Sequence, residues 1–184
     1  NEHPAKLQSD PLAPERVRQW VRQALEITGS ALEMQHYLML RRGPYVLLVV
    51  LDESISRDPV KLEGAFIDLF DPSLELLDTV TLHPGEVALL YDVKWGRTHL
   101  PLPTVAVASA RLRNESRGQG AMTFQTRGPK GTVAKVLVLT PREPAKVELT
   151  PALPLDQRYN ASEGVFFVSF DNMAEDVAVR VQFP

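Results

Sequence analysis

The 184-residue chain contains no cysteine, which excludes a disulfide framework, a thiolate metal site and a cysteine nucleophile. Such a composition suits the cytosol and equally a bacterial secreted module that needs no staple, so the compartment stays open. Long apolar runs are missing too. The longest, Tyr45–Leu51, is far short of the roughly 20 residues of a membrane-spanning helix, and no membrane partner is expected. Charge of one sign is not in excess: 20 basic and 23 acidic residues leave a net charge of −3. With no broad basic field, no nucleic-acid partner is expected, and a pair such as Arg41-Arg42 reads as solvated surface.

The usual signatures of catalysis are lacking as well. Histidines occur at 3, 36, 83 and 99 with no shared ligand spacing, so a zinc site is not expected. No serine sits in a Gly-x-Ser-x-Gly elbow. The glycines of Gly118–Gly120 and Gly128–Gly131 lie between strands, whereas a phosphate loop opens a helix. A starting methionine is absent, so the chain reads as a mature or excised piece whose signal peptide, if any, is already gone. Sequons at Asn114-Glu-Ser and Asn160-Ala-Ser mark expected surface turns.

What is present is a globular composition, 44% hydrophobic and 23% charged, enough for one well-buried domain with or without an appendage. Asn1–Ala13 is polar and reads as an extended lead-in. From Pro14, the residues Val17, Trp20, Val21, Ala24, Leu25 and Thr28 recur at helical spacing, with Arg16, Arg18, Arg22 and Gln23 outside. Pro14 suits the first turn and Gly29 the position past the end. This predicts an amphipathic helix whose apolar stripe, Trp20 included, seeks a core or an interface.

Beyond Ser30 the pattern changes to strands: Met34–Arg41, Tyr45–Asp52, Lys61–Phe70, Leu74–Leu82, Glu86–Val93, Val105–Asn114 and Ala121–Arg127. Four more follow from Thr132. Thr132–Thr140 and Gly164–Phe170 are apolar on both faces, Ala145–Thr150 alternates, and Val177–Phe183 places Val177, Val179, Val181 and Phe183 on one face. That period of two is the mark of a half-buried antiparallel strand. Most of the 15 prolines fall between these runs, as strand interiors require. About ten strands without helices between them predict an all-β, two-layer antiparallel sandwich over 31–184 behind a helical extension over 1–30, with a closed barrel as the runner-up.

Two segments draw attention for chemistry. Asp52, Glu53 and Asp58 cluster at strand ends, where carboxylates terminate strands or bind calcium. Without the spacing of a calcium loop the turn reading leads, and calcium is the one cofactor left open. Asp68, Asp71 and Asp78 mark a hairpin, with Asp71 before Pro72 as turn initiator. The second segment is Tyr91-Asp-Val-Lys-Trp-Gly-Arg-Thr-His, read as a strand end followed by a proline-bounded loop. Tyr91, Trp95, Arg97 and His99 together would present an aromatic face with hydrogen-bonding neighbours, which suits a sugar. The alternative is that Trp95 plugs an end of the sandwich or packs on a neighbouring domain.

The closing segment also resembles a known kind of module. Thr132-Val-Ala-Lys-Val-Leu-Val-Leu-Thr-Pro-Arg-Glu-Pro-Ala-Lys-Val-Glu-Leu, then Tyr159-Asn-Ala-Ser-Glu-Gly-Val-Phe-Phe-Val-Ser-Phe-Asp-Asn, then Val177–Phe183 look like the accessory β-sandwich that closes many bacterial glycoside hydrolases. Arg42-Gly-Pro-Tyr-Val-Leu and Phe66-Ile-Asp-Leu-Phe-Asp-Pro are similar to its first strands. The helix from Pro14 then resembles the last helix of a preceding barrel or a docked linker helix. Such families keep their catalytic carboxylates in the barrel, so the resemblance carries no catalytic residue onto this chain. It implies a non-catalytic accessory domain that packs on or orients a catalytic domain, with the helix face as a contact. The alternatives are a carbohydrate-binding module that holds an oligo- or polysaccharide through Trp95, and an enzyme whose pocket is assembled from distant residues.

Overall fold

The computed structural model describes residues 10–52, 56–118 and 120–184. The chain divides into two compact units, Asn1–His36 and Tyr37–Pro184. In the first unit, α1 spans Ala13–Glu26. Pro14 occupies its first turn, and Asp10 closes the entry by accepting the Leu12 N–H at 2.8 Å and pairing with Arg16 at 2.5 Å. Gly29, at φ +71°, turns the chain out of the helix while the Ser30 N–H returns to the Leu25 carbonyl, as a left-handed C-terminal residue allows. The apolar stripe is exposed: Val17 is 38%, Trp20 48% and Val21 40% accessible.

The second unit is built from thirteen strands among the described residues: β1 Tyr37–Arg42, β2 Tyr45–Val50, β3 Val60–Asp68, β4 Leu76–Leu82, β5 Val87–Asp92, β6 Thr104–Ala108, β7 Arg111–Gly118, β8 Ala121–Arg127, β9 Val133–Leu139, β10 Lys146–Thr150, β11 Pro154–Asn160, β12 Val165–Asp171 and β13 Val177–Gln182. All pair antiparallel. They form three open sheets, in the orders β1-β2-β5-β3-β4, β11-β12-β9-β6 and β10-β13-β8-β7. The expected all-β, sandwich-like fold is therefore present, but with three sheets instead of two. The reason lies in β9 and β12, whose runs are apolar on both faces. Phe166, Val168 and Phe170 meet Phe124, Met122 and the valines of β13 in one cluster. Val165 and Phe167, with Leu137 and Leu139, meet Ala65, Ile67, Tyr91 and Val93 in another. A sheet that is apolar on both sides needs a layer on each.

Three further departures from the sequence reading have local causes. The run Val105–Asn114 is two strands, because the chain leaves the middle sheet at Ala108 and joins an outer one at Arg111. Alternation continues through the corner and hides it. β11 was not expected at all, since Pro-Leu-Asp-Gln-Arg-Tyr-Asn is a mostly exposed edge strand, which lacks the apolar period of a covered one. A second helix, α2, spans Val93–His99 between β5 and β6, where no helix was expected. Of the sequons, Asn160 ends β11 at a turn, whereas Asn114 lies inside β7. Asn114 takes φ +51° at an irregularity between Arg113 and Ser116, a left-handed position that asparagine tolerates better than most residues.

Candidate functional site

The segment from Tyr91 to His99 is organised by Asp92. As the N-cap of α2, its Oδ1 accepts the Trp95 N–H at 2.9 Å, while its Oδ2 takes a hydrogen bond from Arg41 Nη1 at 2.8 Å. One carboxylate thus starts the helix and ties it to β1, using the orphan donors of a helix N-terminus. Gly96 in the middle of this short helix is set by space. A Cβ there would lie 2.7 Å from Tyr91 Oη and 2.8 Å from Leu139 Cδ1, so α2 seats itself on the core only where a side chain is missing.

The four residues expected to form one aromatic, hydrogen-bonding surface are sent in different directions. Tyr91 is 2% exposed and belongs to the core. Its ring meets Tyr45 edge-on at 5.6 Å, and its hydroxyl is buried with no hydrogen-bond partner among the described residues. Burial chiefly, with the neighbouring Tyr45 and Asp92, pushes its pKa up to about 12. It offers no face to a ligand. Trp95 and His99 come together, stacked at 4.3 Å with planes 12° apart. His99 Nδ1 lies 2.9 Å from the Trp95 carbonyl oxygen, which requires the proton on that nitrogen. Arg97 points elsewhere. Its guanidinium covers Gly164, where a Cβ would come within 2.7 Å of Cζ, and it donates to the Ser162 carbonyl at a long 3.5 Å.

Because the segment is helical rather than a loop, side chains four apart share a face. This brings Trp95 onto His99 and separates both from Arg97. The half-buried indole also borders a cleft of about 510 Å³, together with Arg41, Glu63, Asp92, Lys94 and Thr98. Arg97, His99 and Tyr91 do not line it.

The carboxylates singled out by the sequence build turns. Asp71 accepts the Ser73 N–H at 2.8 Å and its hydroxyl at 2.7 Å; these bonds hold its carboxyl below the usual range. Asp68 accepts the Phe70 N–H at 2.9 Å, and Asp58 accepts the Ser56 hydroxyl at 2.6 Å. In the calcium candidate, Asp52 is exposed and Glu53 lies outside the described residues. Among the described residues no three His, Asp or Glu side chains gather into a metal-binding group.

A feature that sequence reasoning missed is the second face of the five-stranded sheet. The registers place Leu38, Val49 and Val87 in one row and Leu40, Leu47 and Leu89 in the next. Tyr45 follows them, opposite Tyr91. Residues directly opposite one another share a face, so these seven form a continuous apolar surface. Four of the seven are exposed, Leu38 at 62%, Leu40 65%, Tyr45 45% and Val87 48%, while Leu47, Val49 and Leu89 between them are half-buried. The alternate residues Val46, Leu48, Val50, Ala88 and Leu90 are buried in a cluster of their own on the other side. The signal is the unbroken apolar run from Tyr45, which the sequence reading takes as a strand without asking what covers its second face.

Comparison of the chain with protein-family models, with curated proteins and with solved structures finds no match in any of the three.

Proposed function

We propose that this protein is a non-catalytic β-sandwich module that packs on a folded partner domain through the open apolar face of its five-stranded sheet. The observation that carries the reading is a contrast between three strands of the same kind. β2, β9 and β12 are all apolar on both faces, and β9 and β12 have a layer on each side. β2 is buried on the Val46–Leu48–Val50 side, while on the other the half-buried Leu47 and Val49 lie beside the exposed Leu38, Leu40 and Val87. Contiguous apolar surface of this kind marks an interaction site. Each leucine fully buried there would contribute about 1.5–3 kcal/mol. The exposed stripe Val17, Trp20 and Val21 on α1 is a further apolar surface for the same purpose. The polar groups that suggested chemistry support a structural role: Asp68 and Asp71 hold a turn, Asp92 caps α2 and Tyr91 fills the core. The finer identification of the partner, a catalytic domain of a carbohydrate-active enzyme, rests on the resemblance of the segment from Thr132 onward.

The test is site-specific photo-crosslinking of the native protein in its own cells, from Leu40 and from Val87, with Thr81 on the fourth strand as control. A discrete adduct from the first two positions, absent from Thr81 and abolished by Leu38→Glu, is expected. Mass spectrometry then identifies the partner, and a protein unrelated to carbohydrate chemistry would remove the finer identification. Equal labelling from all three positions would remove the docking surface itself.

A second reading, carbohydrate capture at Trp95, is favoured by the cleft in which the indole meets Arg41, Asp92, Lys94 and Thr98. An apolar wall beside a few hydrogen-bonding groups is what a sugar ring needs. Affinity electrophoresis against neutral polysaccharides decides it. Retention lost in Trp95→Ala supports the reading, and no retention by the native protein refutes it.

A further inference from the structure

The outer face of the sheet β10-β13-β8-β7 carries charge in an arrangement that is costly for the fold alone. Its inner face supplies Met122, Phe124, Thr126, Val177, Val179 and Val181 to the core, so the alternate residues of each strand look outward. Arg111 and Arg127 stand directly opposite one another across β7 and β8. Like charges in that position are unfavourable. Arg113, two residues along on the same face, adds a third guanidinium. One carboxylate answers them: Asp176 lies 3.3 Å from Arg127 and 3.7 Å from Arg113. Among the described residues the corner is therefore left with two positive charges beyond the one carboxylate, in a protein whose net charge is −3.

A groove of about 440 Å³ adjoins this corner. At its centre is Ala178, whose partners across the strands are Gln125 on one side and Thr150 on the other. The small side chain makes the dip, and its walls include Asn114, Thr123, Gln125, Glu148, Thr150 and Arg180, with the Glu148 carboxylate paired to Lys146 at 2.6 Å. Asn114 Nδ2 donates to Gln125 Oε1 at 2.6 Å, which holds that wall in place. Amides and hydroxyls of this kind bond to hydroxyl groups in either direction, and guanidiniums pair with carboxylate or sulfate through parallel hydrogen bonds.

We propose that this face binds an acidic polysaccharide, with Arg111, Arg113 and Arg127 taking its carboxylate or sulfate groups and the Gln125–Ala178–Thr150 groove its hydroxyls. The outward residues of the four strands include no aromatic ring. That disfavours single-stranded nucleic acid, which relies on stacking platforms. The site is separate from the docking surface, which belongs to a different sheet, and it stands or falls without it.

The experiment is affinity electrophoresis and calorimetric titration of the native protein at low and high salt. The probes are polygalacturonate for carboxylate, heparin for sulfate, dextran as the neutral control and a single-stranded DNA oligomer as the non-sugar polyanion. Binding to at least one acidic polysaccharide, weakened by salt and absent with dextran, is expected. Each guanidinium removed should weaken it about tenfold, as charge-assisted hydrogen bonds imply. The triple Arg111→Ser, Arg113→Ser, Arg127→Ser variant should melt close to the native protein, because relief of the opposed arginines offsets the loss of the two solvent-exposed pairs with Asp176. Should it fail to fold, Ala178→Trp fills the groove without altering charge and is expected to weaken polysaccharide binding just as clearly. No binding to either acidic polysaccharide at low salt, tighter binding to the DNA oligomer, or unchanged binding in the folded variants would each overturn the proposal.

Discussion

Replacing Gly96 with alanine sets two effects of opposite sign against each other. In a helix interior alanine is favoured over glycine by about 1 kcal/mol, so propensity alone would make the substitution stabilising. The new Cβ, however, would lie 2.7 Å from Tyr91 Oη and 2.8 Å from Leu139 Cδ1. Neither neighbour has room to yield, since Tyr91 is 2% and Leu139 0% exposed. Overpacking a core costs about 1–3 kcal/mol, and two simultaneous close approaches put this site at the upper end. The expected net loss is about 2 kcal/mol, or about 4–8 °C in Tm for a domain of this size.

Tyr91→Phe makes the reasoning sharper. It deletes a buried hydroxyl that has no hydrogen-bond partner among the described residues, a group whose burial costs about 1–3 kcal/mol, so the single variant should melt at or above the native temperature. In that background Gly96→Ala should cost about 1 kcal/mol less, because the nearest obstacle has gone while the ring carbon at 3.2 Å and Leu139 remain. Thermal and urea unfolding of the four proteins measure this coupling directly. A rise in Tm for Gly96→Ala, or the same penalty in both backgrounds, would refute the account of how α2 is seated.

The phenol of Tyr91 also gives a pH expectation. Its pKa of about 12 exceeds the value near 10 of an unfolded tyrosine, so the folded state binds the proton more tightly. Stability linked to it is whole below about pH 10 and is lost as pH rises through about 12. Phenolate absorbance should show one of the four tyrosines ionising last and together with unfolding, a phase that Tyr91→Phe removes. Asp92→Ala should lower stability by about 1 kcal/mol through loss of the cap and release the start of α2. Hydrogen exchange at the Trp95 amide should then accelerate, and an unchanged rate there would contradict the capping role.

Much of the fold was legible because strand periodicity is a local property. The alternation of Val177, Val179 and Val181, and the both-face runs of β9 and β12, locate strands wherever those strands end up. The helix from Pro14 was equally clear from its spacing and from Gly29. The candidate site was less legible. Tyr91, Trp95, Arg97 and His99 were grouped by nearness in sequence, but their directions depend on Asp92 capping a seven-residue helix with glycine in its middle. So short a helix has no apolar period to reveal it.

By itself, then, the amino-acid sequence determined the all-β class, the antiparallel strands and the amphipathic helix, since each follows from hydrophobic period and turn residues within a dozen positions. Only the tertiary structure decided that there are three sheets, that β6 and β7 belong to different ones, and that Tyr91 is core. It alone decided that β2 keeps one apolar face open while β9 and β12 keep none. The physical reason is that a both-face apolar strand states a demand for two covering layers. Which layers meet that demand is set by contacts between residues far apart along the chain.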